Sequence, residues 1–107
     1  MKFSIVTVSY NSAATIADTL RSVSSQTHAD IEHLIIDGGS TDDTLAVVRR
    51  EGAHVARLVS EPDRGIYDAM NKGIALAGGD LIGFLNADDM LASPRAVADM
   101  AAAAEGA

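Results

Sequence analysis

Apolar residues concentrate in four short runs, each followed by a polar or glycine-rich break and then by a helical signal. Phe3-Ser4-Ile5-Val6-Thr7-Val8 is rich in β-branched residues and reads as a strand. Ser9 to Ser12 interrupts it, and Ile16, Leu20 and Val23 mark one face of a helix for which Ser12 is the expected N-cap. Ile31 to Ile36 gives a second strand, Asp37-Gly38-Gly39-Ser40 a glycine turn with Ser40 as the next helix-opening residue, and Leu45, Val47 and Val48 a second helix closed by Gly52. Val55 to Val59 is the third strand. Glu61 to Gly65 is a loop held extended ahead of Pro62, and Ile66, Met70, Ile74 and Ala77 predict the buried face of a third helix that Gly78-Gly79 terminates. Leu81 to Leu85 is the fourth strand, and Ser93-Pro94 opens a last helix. The low-complexity tail, 101–107, reads as a fraying helix end without function.

Four β-then-α units predict an α/β fold: an open, mainly parallel, Rossmann-like sheet with right-handed crossovers and helices on both faces. At 107 residues the chain is expected to form one domain, 1–107, with no repeat or linker. Such a chain buries about two thirds of its unfolded surface. Only 4% of residues are aromatic, so the expected core is aliphatic, with Met70, Met90 and Met100 filling gaps. A net charge of −7 and eight scattered Lys and Arg argue against a nucleic-acid partner. The absence of cysteine excludes disulfides, thiolate nucleophiles and cysteine-bound zinc, and suits a cytoplasmic setting. No apolar run reaches the roughly 20 residues of a membrane span. His28, His33 and His54 lack the paired spacing of a metal site.

In a parallel sheet all strands end at one edge, so four loops converge there: Thr7 to Asn11, Asp37 to Asp42, Glu61 to Arg64 and Asn86 to Asp89. Carboxylates at Asp37, Asp88 and Asp89, the cation Arg64 and the hydroxyls of Thr7 and Ser9 together fit a nucleotide diphosphate. A carboxylate about 4 Å from a phosphate oxygen costs about 4 kcal/mol at an effective dielectric near 20, and a dication reverses the sign. Hard oxygen donors at this density suit magnesium or manganese. Neither Gly-x-Gly-x-x-Gly nor the Gly-Lys-Ser/Thr phosphate loop occurs. Asp42 and Asp43 read as helix-start acids favoured by the macrodipole. A plain surface ion pair of Arg64 with Asp63 or Glu61 is its competing assignment.

Over nearly its whole length the chain resembles the family 2 nucleotide-diphospho-sugar glycosyltransferases, which have the GT-A fold. The resemblance is carried by Ser4-Ile5-Val6-Thr7-Val8-Ser9-Tyr10-Asn11, Ile36-Asp37-Gly38-Gly39-Ser40-Thr41-Asp42, Glu61 through Gly73, and Phe84-Leu85-Asn86-Ala87-Asp88-Asp89. It implies that Thr7, Ser9 and Asn11 flank the base, that Asp37 accepts from it, and that Arg64 and Asn71 steady pocket and diphosphate. Asp88 with Asp89 would hold ribose and metal. It further implies inverting transfer of a sugar to a hydroxyl of an acceptor glycan or lipid-linked glycan, in polysaccharide or cell-surface glycan synthesis, at the inner face of the membrane where the acceptor is lipid-bound. Asn86 departs from the aspartate that often opens the fourth motif, keeping an acceptor but no charge. Family members continue well beyond this length, so the chain is expected to be the N-terminal, donor-binding half, barely active alone, with the catalytic base elsewhere. An apolar docking face could also make it a homo-oligomer. The alternative is a non-catalytic nucleotide-binding or assembly module. A nucleotidyltransferase would want a glycine-rich basic loop after the first strand, and Ser9 to Ala14 has neither feature.

Overall fold

The computed structural model describes residues 1–105 and contains the four expected units in order: β1 (Phe3–Ser9), α1 (Ile16–Ser24), β2 (Ile31–Asp37), α2 (Thr44–Glu51), β3 (Val55–Ser60), α3 (Ile66–Leu76), β4 (Leu81–Asn86) and α4 (Ala96–Glu105). The tail is helical through Glu105, and its last two residues lie outside the described range. All pairings are parallel and the strand order is β3-β2-β1-β4. The chain therefore reverses direction across the sheet at β1, and the β3–α3 connection, which leads to the opposite face, parts there from the loops after β1 and β4, whose helices share one face. Open α/β sheets bind ligands at such a split.

Strand alternation sends Phe3, Ile5, Thr7 and Ser9 to one side of the sheet and Ser4, Val6 and Val8 to the other. The first side packs Ile16 and Leu20 of α1, Val47 and Val48 of α2 and Val97 of α4 against Ile35, Ile5 and Leu85. The second packs α3, through Ala69, on Val6, Leu34 and Ile36. Helices thus cover both faces, as the alternating pattern requires.

The face of α3 differs from expectation. Its buried residues are Ala69 and Gly73, whereas Ile66 and Ile74 are about half exposed. A Cβ at position 73 would overlap the methyl groups of Val6, so α3 approaches the sheet through its small residues and its larger ones splay outward. Met90 and Met100 are exposed too, not core fillers. β4 is apolar up to Asn86 but shielded on one side only, leaving Ile82 and Phe84 open on the face that carries α3.

Two helix starts also move. α1 begins at Ile16 behind Thr15, because Ser12 sits in a preceding turn where its carbonyl accepts the amides of Thr15 and Ile16. α2 begins at Thr44 behind Asp43, because Ser40 is engaged with Asp37 and Asn11. Asp42 keeps its helix-start role, accepting the Thr44 amide at 2.9 Å. The Ser40 hydroxyl joins one loop to the next instead, while the Ser12 hydroxyl donates to Tyr10 O within its own loop.

Candidate functional site

The C-terminal edge of the sheet carries a crevice of about 660 Å³, formed by the β1–α1 loop, the start of α3 and the β4–α4 loop. Ligand pockets commonly have this size. Ser9, Tyr10, Asn11, Asn86 and Asp88 face it, with Asp63, Gly65 and Ile66 on the far wall. The sheet's hydrogen bonding runs on into the loops: the Gly38 amide donates to Ser9 O at 2.9 Å and the Ala87 amide to Val8 O at 3.1 Å. Asp88 is thereby delivered to the crevice beside Ser9.

Asn11 fixes the floor. It adopts a left-handed conformation, φ 48°, which asparagine tolerates better than most residues. From there its Oδ1 accepts the amides of Thr41 at 2.8 Å and Asp42 at 3.3 Å, while its own amide donates to Ser40 Oγ at 2.8 Å. Asp88 is braced from below by α1: the hydroxyls of Thr15 and Thr19 lie 2.9 and 3.0 Å from the carbonyl of Ala87, and Thr19 Oγ1 lies 2.5 Å from that of Asp89.

Asp37 lies beneath this surface. It is fully buried, and its carboxylate accepts five hydrogen bonds: Ser9 Oγ and Ser40 Oγ on one oxygen, Ser60 Oγ and the amides of Gly39 and Ser40 on the other. A carboxylate offers about four lone-pair sites, so none is left for a base. Burial is the strongest single influence and pushes its carboxyl up. The Ser40, Ser9 and Ser60 donors outweigh that and leave it below the ordinary carboxylate range. Asp37 is the anchor on which the β2 loop is wound.

Thr7 is also fully buried, and its hydroxyl meets His33 Nε2 at 2.8 Å under the sheet. Of the other expected residues, Ser9, Asn11 and Asp88 line the crevice, and Arg64, Asn71 and Asp89 do not. Arg64 is exposed on the rim loop and makes no ion pair among the described residues; Lys72 instead pairs with Glu61 at 3.2 Å and Asp68 at 3.6 Å. Asn71 is exposed on α3. Asp89 is exposed, its amide donating to Asn86 O at 3.0 Å.

Sequence reading overlooked two lining residues. Tyr10, 60% exposed, offers an aromatic surface in the crevice. Asp63 adds a second carboxylate, and its place directly after the extended Pro62 was the available signal.

Among the described residues no three His, Cys, Asp or Glu side chains gather into a metal cage. On the β4 side of the crevice the hard oxygen donors are Asp88 and the Asn86 carboxamide, with the Asp63 carboxylate on the far wall. They fit an ion such as magnesium or manganese, which needs one or two carboxylates and completes its shell with water and phosphate oxygens.

A parallel sheet that reverses direction at β1, with a carboxylate-bearing crevice above the reversal, defines an open α/β domain with a ligand-sized cleft at its carboxyl edge. The chain belongs to glycosyl transferase family 2, whose family model matches residues 4–106. It is 43% identical over 104 residues to an uncharacterized glycosyltransferase of Mycobacterium tuberculosis, covering 96% of this chain and 40% of that one. It is 41% identical over 103 residues to a PGL/p-HBAD biosynthesis glycosyltransferase of Mycobacterium bovis BCG, covering 94% and 40%. The chain thus spans about two fifths of the length of these relatives. Among solved structures, Staphylococcus aureus TarS in complex with UDP-GlcNAc superposes with a TM-score of 0.89 at 26% identity, over 99% of this chain and 32% of that one. The Pyrobaculum calidifontis mannosyltransferase PcManGT, in complex with GDP-Man and Mn2+, gives 0.86 at 26%, over 94% and 31%. The α/β architecture of this chain therefore matches that of these GT-A transferases over most of its length. No helix of the described residues is long and apolar enough to cross a membrane.

Proposed function

We propose that this chain is the donor-binding part of a glycosyltransferase that moves a sugar from a nucleotide-diphospho-sugar to a hydroxyl of an acceptor glycan or lipid-linked glycan, with inversion at the anomeric carbon. The observation that carries the reading is Asp88, exposed on a crevice at the carboxyl edge of a parallel sheet and held there through the adjoining Ala87 carbonyl by Thr15 and by Thr19 of α1. Relatives solved with UDP-GlcNAc and with GDP-Man and Mn2+ support the same donor class, and the relative named for PGL/p-HBAD biosynthesis supports a cell-surface glycan product.

In this reading Tyr10 supplies a face for the base, Asn11 and Ser9 form the floor beneath the ribose, and Asp88 holds the divalent cation. That cation, when bound, neutralises the diphosphate as its charge develops on departure. Arg64 contributes positive charge at the rim. Acceptor recognition and the general base belong to the part of the longer relatives that this chain does not span, so the chain alone binds donor and turns over little.

Titration calorimetry with UDP and GDP, with and without manganese, tests this. The expected result is nucleotide binding strengthened by manganese, with Asp88→Asn weakening the manganese-dependent part by more than about tenfold, the lower end for disturbing even an indirect metal contact. Binding by the parent that Asp88→Asn leaves untouched would favour an assembly module over a transferase.

A further inference from the structure

Resting on that donor-binding reading, we infer that Asp63, not Asp37, is the carboxylate that reads the nucleotide base, and that it selects uracil or guanine over cytosine or adenine. Asp37 is buried under the floor with every acceptor site used. Asp63 stands on the crevice wall, half-buried. Its Oδ1 accepts the Gly65 amide at 3.1 Å, which orients the carboxylate, and its Oδ2 has no donor among the described residues.

Gly38 makes room for that oxygen. A Cβ at position 38 would lie 2.8 Å from Asp63 Oδ2 and 3.3 Å from its Cγ, so the carboxylate occupies the space that any other residue's side chain would take at the end of β2. Position 38 follows β2 and Asp88 follows β4, with β1 between them. Two strand spacings separate them, roughly 10 Å, the reach of a nucleoside and not of one phosphate.

Charge assigns the two ends. A carboxylate without a cation repels a diphosphate, so the phosphates lie toward Asp88 and the base toward Asp63. A carboxylate only accepts hydrogen bonds. Uracil at N3 and guanine at N1 present an N–H at the centre of the pairing edge, whereas cytosine at N3 and adenine at N1, seated the same way, present a lone pair there that a carboxylate repels and carry their amino donors to one side. A site built on one such bond discriminates strongly, because the wrong base leaves it unpaired.

The test is calorimetry of the full chain with UDP, GDP, CDP and ADP, for the parent, Asp63→Asn and Gly38→Ala, with thermal melts to establish folding. The parent is expected to bind UDP or GDP at least about tenfold more tightly than CDP, the cost of losing one charge-assisted hydrogen bond. Asp63→Asn, whose amide can donate to cytosine N3, is expected to erase or invert that ratio. Gly38→Ala keeps Asp63 but displaces its oxygen, and its φ lies outside the left-handed range, so it is expected to fold and lose discrimination. A parent that binds CDP as tightly as UDP, or a folded variant of either kind that keeps the full preference, overturns the assignment while leaving donor binding intact. A parent that binds no nucleoside diphosphate overturns the donor-binding reading itself.

Discussion

At the scale of single residues, the least expected group is His33, fully buried between Thr7 Oγ1 at 2.8 Å and His54 Nε2 at 2.9 Å. Burial, and then the nearby His54, lowers its pKa from 6.5 to about 3, and burial lowers that of His54 as well. Between those two pH values the unfolded chain holds a proton on His33 that the folded chain does not. Stability is therefore complete above 6.5 and falls with acidity, by about 1.4 kcal/mol per pH unit from His33 alone. Urea unfolding between pH 7 and pH 5 is expected to show this slope, and His33→Gln to flatten it even though its stability at pH 7 is lower. Asp37, held below its ordinary value, adds its own loss only at more acid pH. None of this was legible beforehand: a lone histidine in a strand looks like any other. One of the Asp37 donors is Ser60, 23 residues away, which no local motif reveals.

At the scale of elements, all eight were legible, because each strand is a mainly apolar run bounded by turn residues and the helices between them show apolar positions at helical spacing or an opening Ser-Pro signal. The face of α3 was not. Periodicity finds large apolar residues, and Ile66, Met70 and Ile74 satisfy it, but the contact is made one row over, where Ala69 and Gly73 let the backbone come closer to the sheet. Gly73→Ala tests that closeness. Overpacking at such a site costs roughly 1–3 kcal/mol, while alanine's better helix propensity returns at most about 1, so the net effect is destabilising. A lower urea midpoint with an unchanged slope is the expected measurement. The helix starts were misplaced for a related reason. Ser12 and Ser40 have the right chemistry for caps, but Tyr10 O of its own loop takes the Ser12 hydroxyl, and Asn11 and Asp37 take that of Ser40.

At the scale of the whole molecule, the two sheet edges are unlike. β3 is bulged against β2 and carries exposed Arg57, features that discourage further pairing. β4 pairs regularly with β1 and leaves Ile82 and Phe84 about two fifths exposed, with Ile74 of α3 also uncovered. Despite a net charge of −7, the chain is expected to self-associate as its concentration rises, and Phe84→Lys to hold it monomeric, as sedimentation velocity would show. The crevice lies away from that edge, at the C-terminal end of the strands, where its floor was stitched during folding. The amides of Gly39 and Ser40 are tied to Asp37, and those of Thr41 and Asp42 to Asn11. That stretch has already surrendered its conformational entropy, so an arriving nucleotide does not have to freeze it a second time.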